Sequence, residues 1–289
     1  MSAGPASRRF FCFGLGFSAL ALAPQLRDKG FAIAGTCRSE EKAVKLRAEG
    51  IDAFVYGPDH ALAPAALEGT THLLLSIPPD EAGDSVARDL GNSLQALPLQ
   101  WVGYLSTTGV YGDRGGDWVD EASPLAPSTA RGRRRLEAEE QWAALDLPLH
   151  IFRLAGIYGP GRNQLATLRA GTAKRIVKEG QVFSRIHVED IANILAASIA
   201  QPAPGTAYNV CDNEPAPPQE VVTYAADLLG IDPPPEVPFE EADLSPMAKS
   251  FYAESKRVSN KRIREELGVT LRYPTYREGL RALLDLDKK

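Results

Sequence analysis

The sequence predicts an α/β fold, a doubly wound parallel sheet followed by a small C-terminal lobe. Three observations predict it. Short apolar runs alternate with amphipathic stretches through most of the chain, a G-x-G-x-x-A loop follows the first run, and the pattern changes after Cys211. Strand and helix in strict alternation call for right-handed crossovers, which lay the strands parallel and put helices on both faces of the sheet.

Taken in order, strands are expected at Arg9 to Phe13, Phe31 to Thr36, Ala53 to Tyr56, His72 to Ser76, Trp101 to Ser106, His150 to Leu154 and Tyr208 to Val210. Between them, Glu40 to Glu49, Asp80 to Leu97 and Thr129 to Leu145 carry the amphipathic pattern of helices. After Cys211 come a proline-rich loop (Pro215, Pro217, Pro218), a helix from Gln219 to Leu229, a second proline cluster (Pro233 to Pro235) and two basic helices. The expected division is a nucleotide-binding domain over residues 1–213 and a substrate lobe over 214–289, with residues 160–182 also contributing to the lobe.

The stretch from Arg8 to Leu26 admits two readings. Arg8 and Arg9 before an apolar run, with Ala21-Leu22-Ala23 beyond it, have the form of a twin-arginine export signal. Gly14-Leu15-Gly16-Phe17-Ser18-Ala19 has the form of a phosphate-binding loop between a strand and a helix. The second strand follows at the spacing of one crossover helix, so removing residues 1–23 would strip the sheet of its central strand. The loop reading is therefore preferred, and it makes the fold Rossmann-type. Gly14 would make the tight turn, Gly16 would let the backbone approach a pyrophosphate, and Ala19 would let the helix pack closely. Phe17 and Ser18 would open the helix, whose N-terminus offers N–H donors and a positive dipole end to an anion. At the end of the second strand stand Arg38 and Ser39, with no carboxylate before Glu40. An arginine there suits a 2′-phosphate where an acidic residue would suit ribose hydroxyls, so NADP(H) is favoured over NAD(H). Ser76, Ile77 and Pro78 close the fourth strand and are expected on the adenosine side.

Further segments resemble the NAD(P)-dependent epimerase/dehydratase group of extended or atypical short-chain dehydrogenases/reductases. They are Ser106-Thr107-Thr108-Gly109-Val110-Tyr111-Gly112, Arg153 to Gly161, Arg185-Ile186-His187-Val188-Glu189-Asp190-Ile191-Ala192, Tyr208-Asn209-Val210, Ser255 to Asn260, and Tyr273 to Leu280. In order and spacing they cover nearly the whole chain. The resemblance implies that Thr107 holds the position of the catalytic Ser or Thr and also borders the cofactor. It further implies a Tyr-x-x-x-Lys pair in the window Ala130 to Glu139, where Arg131 takes the tyrosine position and Arg135 the lysine position. A guanidinium keeps its proton near neutral pH, so Arg131 cannot act as the usual acid. It suits an anionic substrate or developing charge on oxygen instead, while Arg135 would keep the contacts with the cofactor ribose. Tyr111, Tyr158 and His187 are the other candidates: Tyr111 as an acid, Tyr158 and His187 on the substrate side.

At 289 residues, 44% hydrophobic and 24% charged, the chain can bury the core of one large domain or one and a half. A formal net charge of −5 disfavours nucleic-acid and anionic-membrane partners and leaves a small molecule as the expected one. Cys12, Cys37 and Cys211 are odd in number and far apart, which favours buried thiols in a reducing, cytoplasmic setting. No apolar run reaches the ~20 residues of a membrane-spanning helix. His60, His72 and His150 show no metal-ligand spacing. The expected function is an NADP(H)-binding reductase or epimerase/dehydratase-like enzyme acting on a small, anionic or sugar-nucleotide-like substrate. The alternative is a non-catalytic NAD(P)(H) sensor or scaffold; the family also admits a homodimer through two outer helices.

Overall fold

The computed structural model describes residues 8–288, so residues 1–7 of the expected first domain and residue 289 of the lobe lie outside it. A seven-stranded sheet carries the fold. Its strands are β1 (Arg9–Phe13), β2 (Ala32–Cys37), β3 (Asp52–Val55), β4 (Thr70–Leu75), β5 (Trp101–Thr107), β7 (Leu149–Leu154) and β11 (Thr206–Val210). They lie in the order β11-β7-β5-β4-β1-β2-β3, the doubly wound order with β1 central. Parallel registers such as Phe10 against Ile33 and His72 fix the neighbours of β1. Strands covered on both faces read as continuous apolar runs, and β1 buries its last four residues accordingly.

The helices follow from local chemistry. In α1 (Phe17–Asp28) the buried face is small near its start, with Ser18 and Ala19, and larger beyond, with Leu22 and Leu26. Ser39 caps α2 (Glu40–Ala48), whose first turn is acidic and whose last is basic, in line with the helix dipole. The helix expected from Asp80 begins later, as α3 (Ser85–Gln95), because Gly83 takes a positive φ and Asp84 Oδ1 accepts the N–H groups of Val86 and Ala87 at 3.0 and 3.1 Å. Further on lie α4 (Ala130–Ala143), α5 (Gln164–Arg169), α6 (Val188–Ala200) and α7 (Pro218–Leu229). The tail holds three helices where two were expected: α8 (Pro246–Tyr252), α9 (Lys261–Glu265) and α10 (Tyr276–Leu286). Ser245 caps α8, and Thr275 with Glu278 forms a capping box on α10.

Three two-stranded parallel ladders complete the structure: β6 (Trp118–Val119) with β13 (Arg257–Val258), β8 (Gly156–Tyr158) with β10 (Arg185–His187), and β9 (Arg175–Val177) with β12 (Glu236–Pro238). The chain forms two compact units. Unit 1 comprises residues 1–106, 134–152 and 191–207, and unit 2 comprises 107–133, 153–190 and 208–289. A single cut at 213/214 does not describe this division, because the chain crosses from one unit to the other five times. Unit 1 is built on Phe11, Phe13, Leu73, Val102, Tyr104 and Trp142, unit 2 on Leu165, Val221, Ala225, Tyr276 and Leu280. All three cysteines are free and buried, and burial pushes the Cys12 and Cys211 thiols up. No helix among the described residues is long and apolar enough to cross a membrane.

Candidate functional site

In unit 1 the loop after β1 is set by its own backbone. Gly14 has φ 93°, and a Cβ there would press on Ile77 at 3.2 Å, which places Ser76 and Ile77 directly behind the turn. The Gly14 N–H donates to Thr36 Oγ1 at 2.9 Å and the Leu15 N–H to Thr36 O at 2.7 Å, tying the loop to β2. Gly16 then supplies the N-cap of α1 without a side chain, and no acidic residue stands in the first turn. The N–H groups at Phe17 and Ser18 therefore keep an uncapped, electropositive helix end.

The rim of this loop is cationic. Arg38 is exposed at the end of β2, and Ser39 spends its hydroxyl on capping α2. Lys42, one turn into α2, donates its Nζ to Leu15 O at 2.7 Å. The sequence reading did not single out Lys42; its spacing from Ser39, the cap of α2, was the available signal. Pro78 is exposed beyond Ile77. Elsewhere in unit 1, Arg135 projects from α4 onto β5, donating to Leu105 O and, at 3.3 Å, to Tyr104 Oη. Burial pushes the Tyr104 hydroxyl up to about 12, against the pull of the Arg135 charge. Glu139, one turn beyond Arg135, is buried and accepts from Ser106 Oγ at 2.5 Å.

In unit 2, half-buried Thr107 ends β5 and opens a 3-10 turn over Thr108–Tyr111, its Oγ1 accepting the Gly109 N–H at 3.2 Å. Arg131, near the start of α4, is exposed and lays its guanidinium over the Phe251 ring of α8 at 5.0 Å. Tyr111 is wholly buried; its hydroxyl donates to Asn209 Oδ1 at 2.7 Å and accepts from Arg153 Nη1 at 3.0 Å. Both its proton and a lone pair are thus committed to bracing β11 and β7. Tyr158 is buried as well, with its ring edge-on to His187 at 5.1 Å and its hydroxyl without a partner among the described residues.

His187 is 1% exposed, stands 4.1 Å from the Tyr273 ring, and takes the Glu189 N–H on Nδ1 at 3.2 Å. Burial lowers its pKa from 6.5 to about 4, and burial does the same to His72 in unit 1. Both rings are neutral in the fold, whereas the unfolded chain takes up protons on them near pH 6.5. Stability is thus complete above about pH 6.5 and falls as pH drops toward 4, by about 3 kcal/mol for each ring. Imidazole resonances of His72 and His187 should show no protonation down to pH 5; midpoints near 6.5 would contradict it.

No family model matches the chain. It is 30% identical over 277 residues to Protein YeeZ of Escherichia coli K12, an alignment covering 90% of this chain and 94% of that one. A functionally unknown conserved protein of solved structure from Silicibacter pomeroyi is 52% identical, with a TM-score of 0.91 over 98% of this chain and all of the other. A provisionally assigned NAD-dependent epimerase/dehydratase from Methylobacillus flagellatus is 28% identical, with a TM-score of 0.73 over 99% of this chain and 100% of the other. The chain belongs to the extended short-chain dehydrogenase/reductase family. The nucleotide that an extended short-chain dehydrogenase/reductase implies fits unit 1, where Gly14 is left-handed at a point a side chain would crowd and α1 has neither side-chain cap nor acidic first turn. Among the described residues no group of three His, Cys, Asp or Glu side chains is placed to hold a metal.

Proposed function

We propose that the chain is an NADP(H)-dependent reductase or epimerase/dehydratase-like enzyme acting on a small, anionic or sugar-nucleotide-like substrate. The observation that carries this reading is the rim of the unit 1 loop: two cations, Arg38 and Lys42, and no carboxylate at the end of β2. In this reading Gly14, Gly16, Phe17 and Ser18 cradle the pyrophosphate, Arg38 and Ser39 take the 2′-phosphate with Lys42 adding charge, and Ser76, Ile77 and Pro78 border the adenosine. Arg135 holds the lysine position toward the ribose. The bound nucleotide would supply or accept hydride.

The chain's own residues do the rest. Thr107 offers a hydroxyl to the reacting oxygen, and Arg131, whose guanidinium lies 5.0 Å from the Phe251 ring, holds the tyrosine position as an anion clamp. Unit 1 is accordingly assigned to the nucleotide and unit 2 to the substrate, in the cytoplasm. Titrating the purified chain with NADPH and with NADH, followed by tryptophan quenching, tests the reading. NADPH should bind more tightly, and Arg38→Ala should weaken NADPH about tenfold while leaving NADH unchanged. Equal affinities unmoved by Arg38→Ala would remove the 2′-phosphate assignment, and tight cofactor binding without turnover would favour a sensor.

A further inference from the structure

The geometry points to Lys256, held by Glu254, as the proton donor to the substrate oxygen at Thr107, an inference that rests on the enzymatic reading above. With arginine in the tyrosine position, a reductase of this fold needs another group that can release a proton. Unit 2 pairs one, Lys256, with a carboxylate that shares Gly109 as a neighbour with Thr107. The point where a Cβ would stand on Gly109 is 3.5 Å from Thr107 Oγ1 and 4.0 Å from Glu254 Oε2, so the two side chains flank the same small space. Lys256 Nζ donates to Glu254 Oε2 at 2.8 Å, and Ser128 Oγ donates to Glu254 Oε1 at 2.6 Å.

Both side chains of this ion pair are only 9% exposed. A buried pair is a poor source of stability, because desolvation offsets most of the attraction, so a chemical use is the stronger account of its position. The ammonium has three protons and spends one on Glu254, whereas a guanidinium cannot release one near neutral pH. Asp113 is the second carboxylate near this ammonium: the Ser255 and Gly115 N–H groups and the Lys256 charge hold its carboxyl below the usual range.

In the reducing direction a bound nicotinamide nucleotide would supply hydride to the carbonyl carbon, leaving the C=O π pair on oxygen. That oxygen takes a proton from Lys256 Nζ: an O–H bond forms, an N–H bond breaks and the ammonium becomes an amine. The nucleotide would be the two-electron reductant of the carbonyl, and a proton from water restores the ammonium beside Glu254 and Asp113.

Lys256→Arg separates this role from a structural one, since arginine keeps the charge and the pairing with Glu254 but not the releasable proton. The assay follows NADPH-dependent reduction of methylglyoxal and 9,10-phenanthrenequinone. The expected result is a fall in kcat on the order of 100-fold, with the melting temperature and NADPH affinity unchanged. Turnover retained in Lys256→Arg overturns this proposal alone; a wild-type chain that binds NADPH and reduces neither probe overturns the enzymatic reading and this proposal with it. A readout independent of turnover is the ¹⁵N resonance of Lys256 Nζ, which should shift in Glu254→Gln as the 2.8 Å ion pair is lost; an unmoved resonance overturns the pairing on which the proposal depends.

Discussion

Gly112→Ala is expected to unfold unit 2 or to lower its melting temperature by on the order of 10 °C. Gly112 closes the 3-10 turn after Thr107 with φ 72° and ψ −160°, a backbone conformation essentially confined to glycine. The added methyl would stand 1.9 Å from Ala126 O and 2.9 Å from Ala126 C, and neither is the tip of a side chain that can swing aside. Backbone strain and overlap together should cost more than about 4 kcal/mol. Gly115→Ala is the control. Gly115 also has a positive φ, 57°, but nothing lies within 4 Å of its Cβ position, so only about 1 kcal/mol is at stake. Similar melting temperatures for the two variants would contradict the account.

Asp190→Ala should cost about 3 to 5 kcal/mol, read as a fall in the urea midpoint with an unchanged slope. Asp190 is fully buried at the start of α6, and its Oδ1 and Oδ2 accept the backbone N–H groups of Arg272 at 2.7 Å and Tyr273 at 3.0 Å. Alanine leaves one buried donor, at Tyr273, and one part-buried donor, at Arg272, without their acceptor where the tail docks. Asn keeps one acceptor oxygen and turns the other position into a donor facing an N–H, so Asp190→Asn should fall between alanine and wild type. If Asn proved worse than Ala, the two backbone bonds would not be what holds this site.

The seven strands of the main sheet were legible to within about two residues at each end, because strands buried on both faces leave unbroken apolar runs bounded by polar or glycine positions. The three small ladders were not: two or three residues give no period to read. The turn at Gly14 and the start of α1 after Gly16 were legible because their signal is written in consecutive residues. Lys256 was read only as part of the segment Ser255 to Asn260 and Glu254 was not singled out, since their setting is made by Ser128 and Gly109, far away in sequence. Tyr111 and His187 show the opposite limit, where a proton-carrying residue in a promising segment turns inward and is used for packing and bracing.

The interleaving of the two units bears on how the protein is made. Asp113 meets its partner Ser255 only 142 residues later along the chain, and Ser128 meets Glu254 after 126. As the polypeptide leaves the ribosome, the segment bearing Thr107 and Arg131 emerges long before residues 208–289, which complete its unit. Until then that segment has no docked partner for Asp113 or Ser128, so unit 2 matures last, and chains stopped early by a nonsense codon lack the residues that complete it.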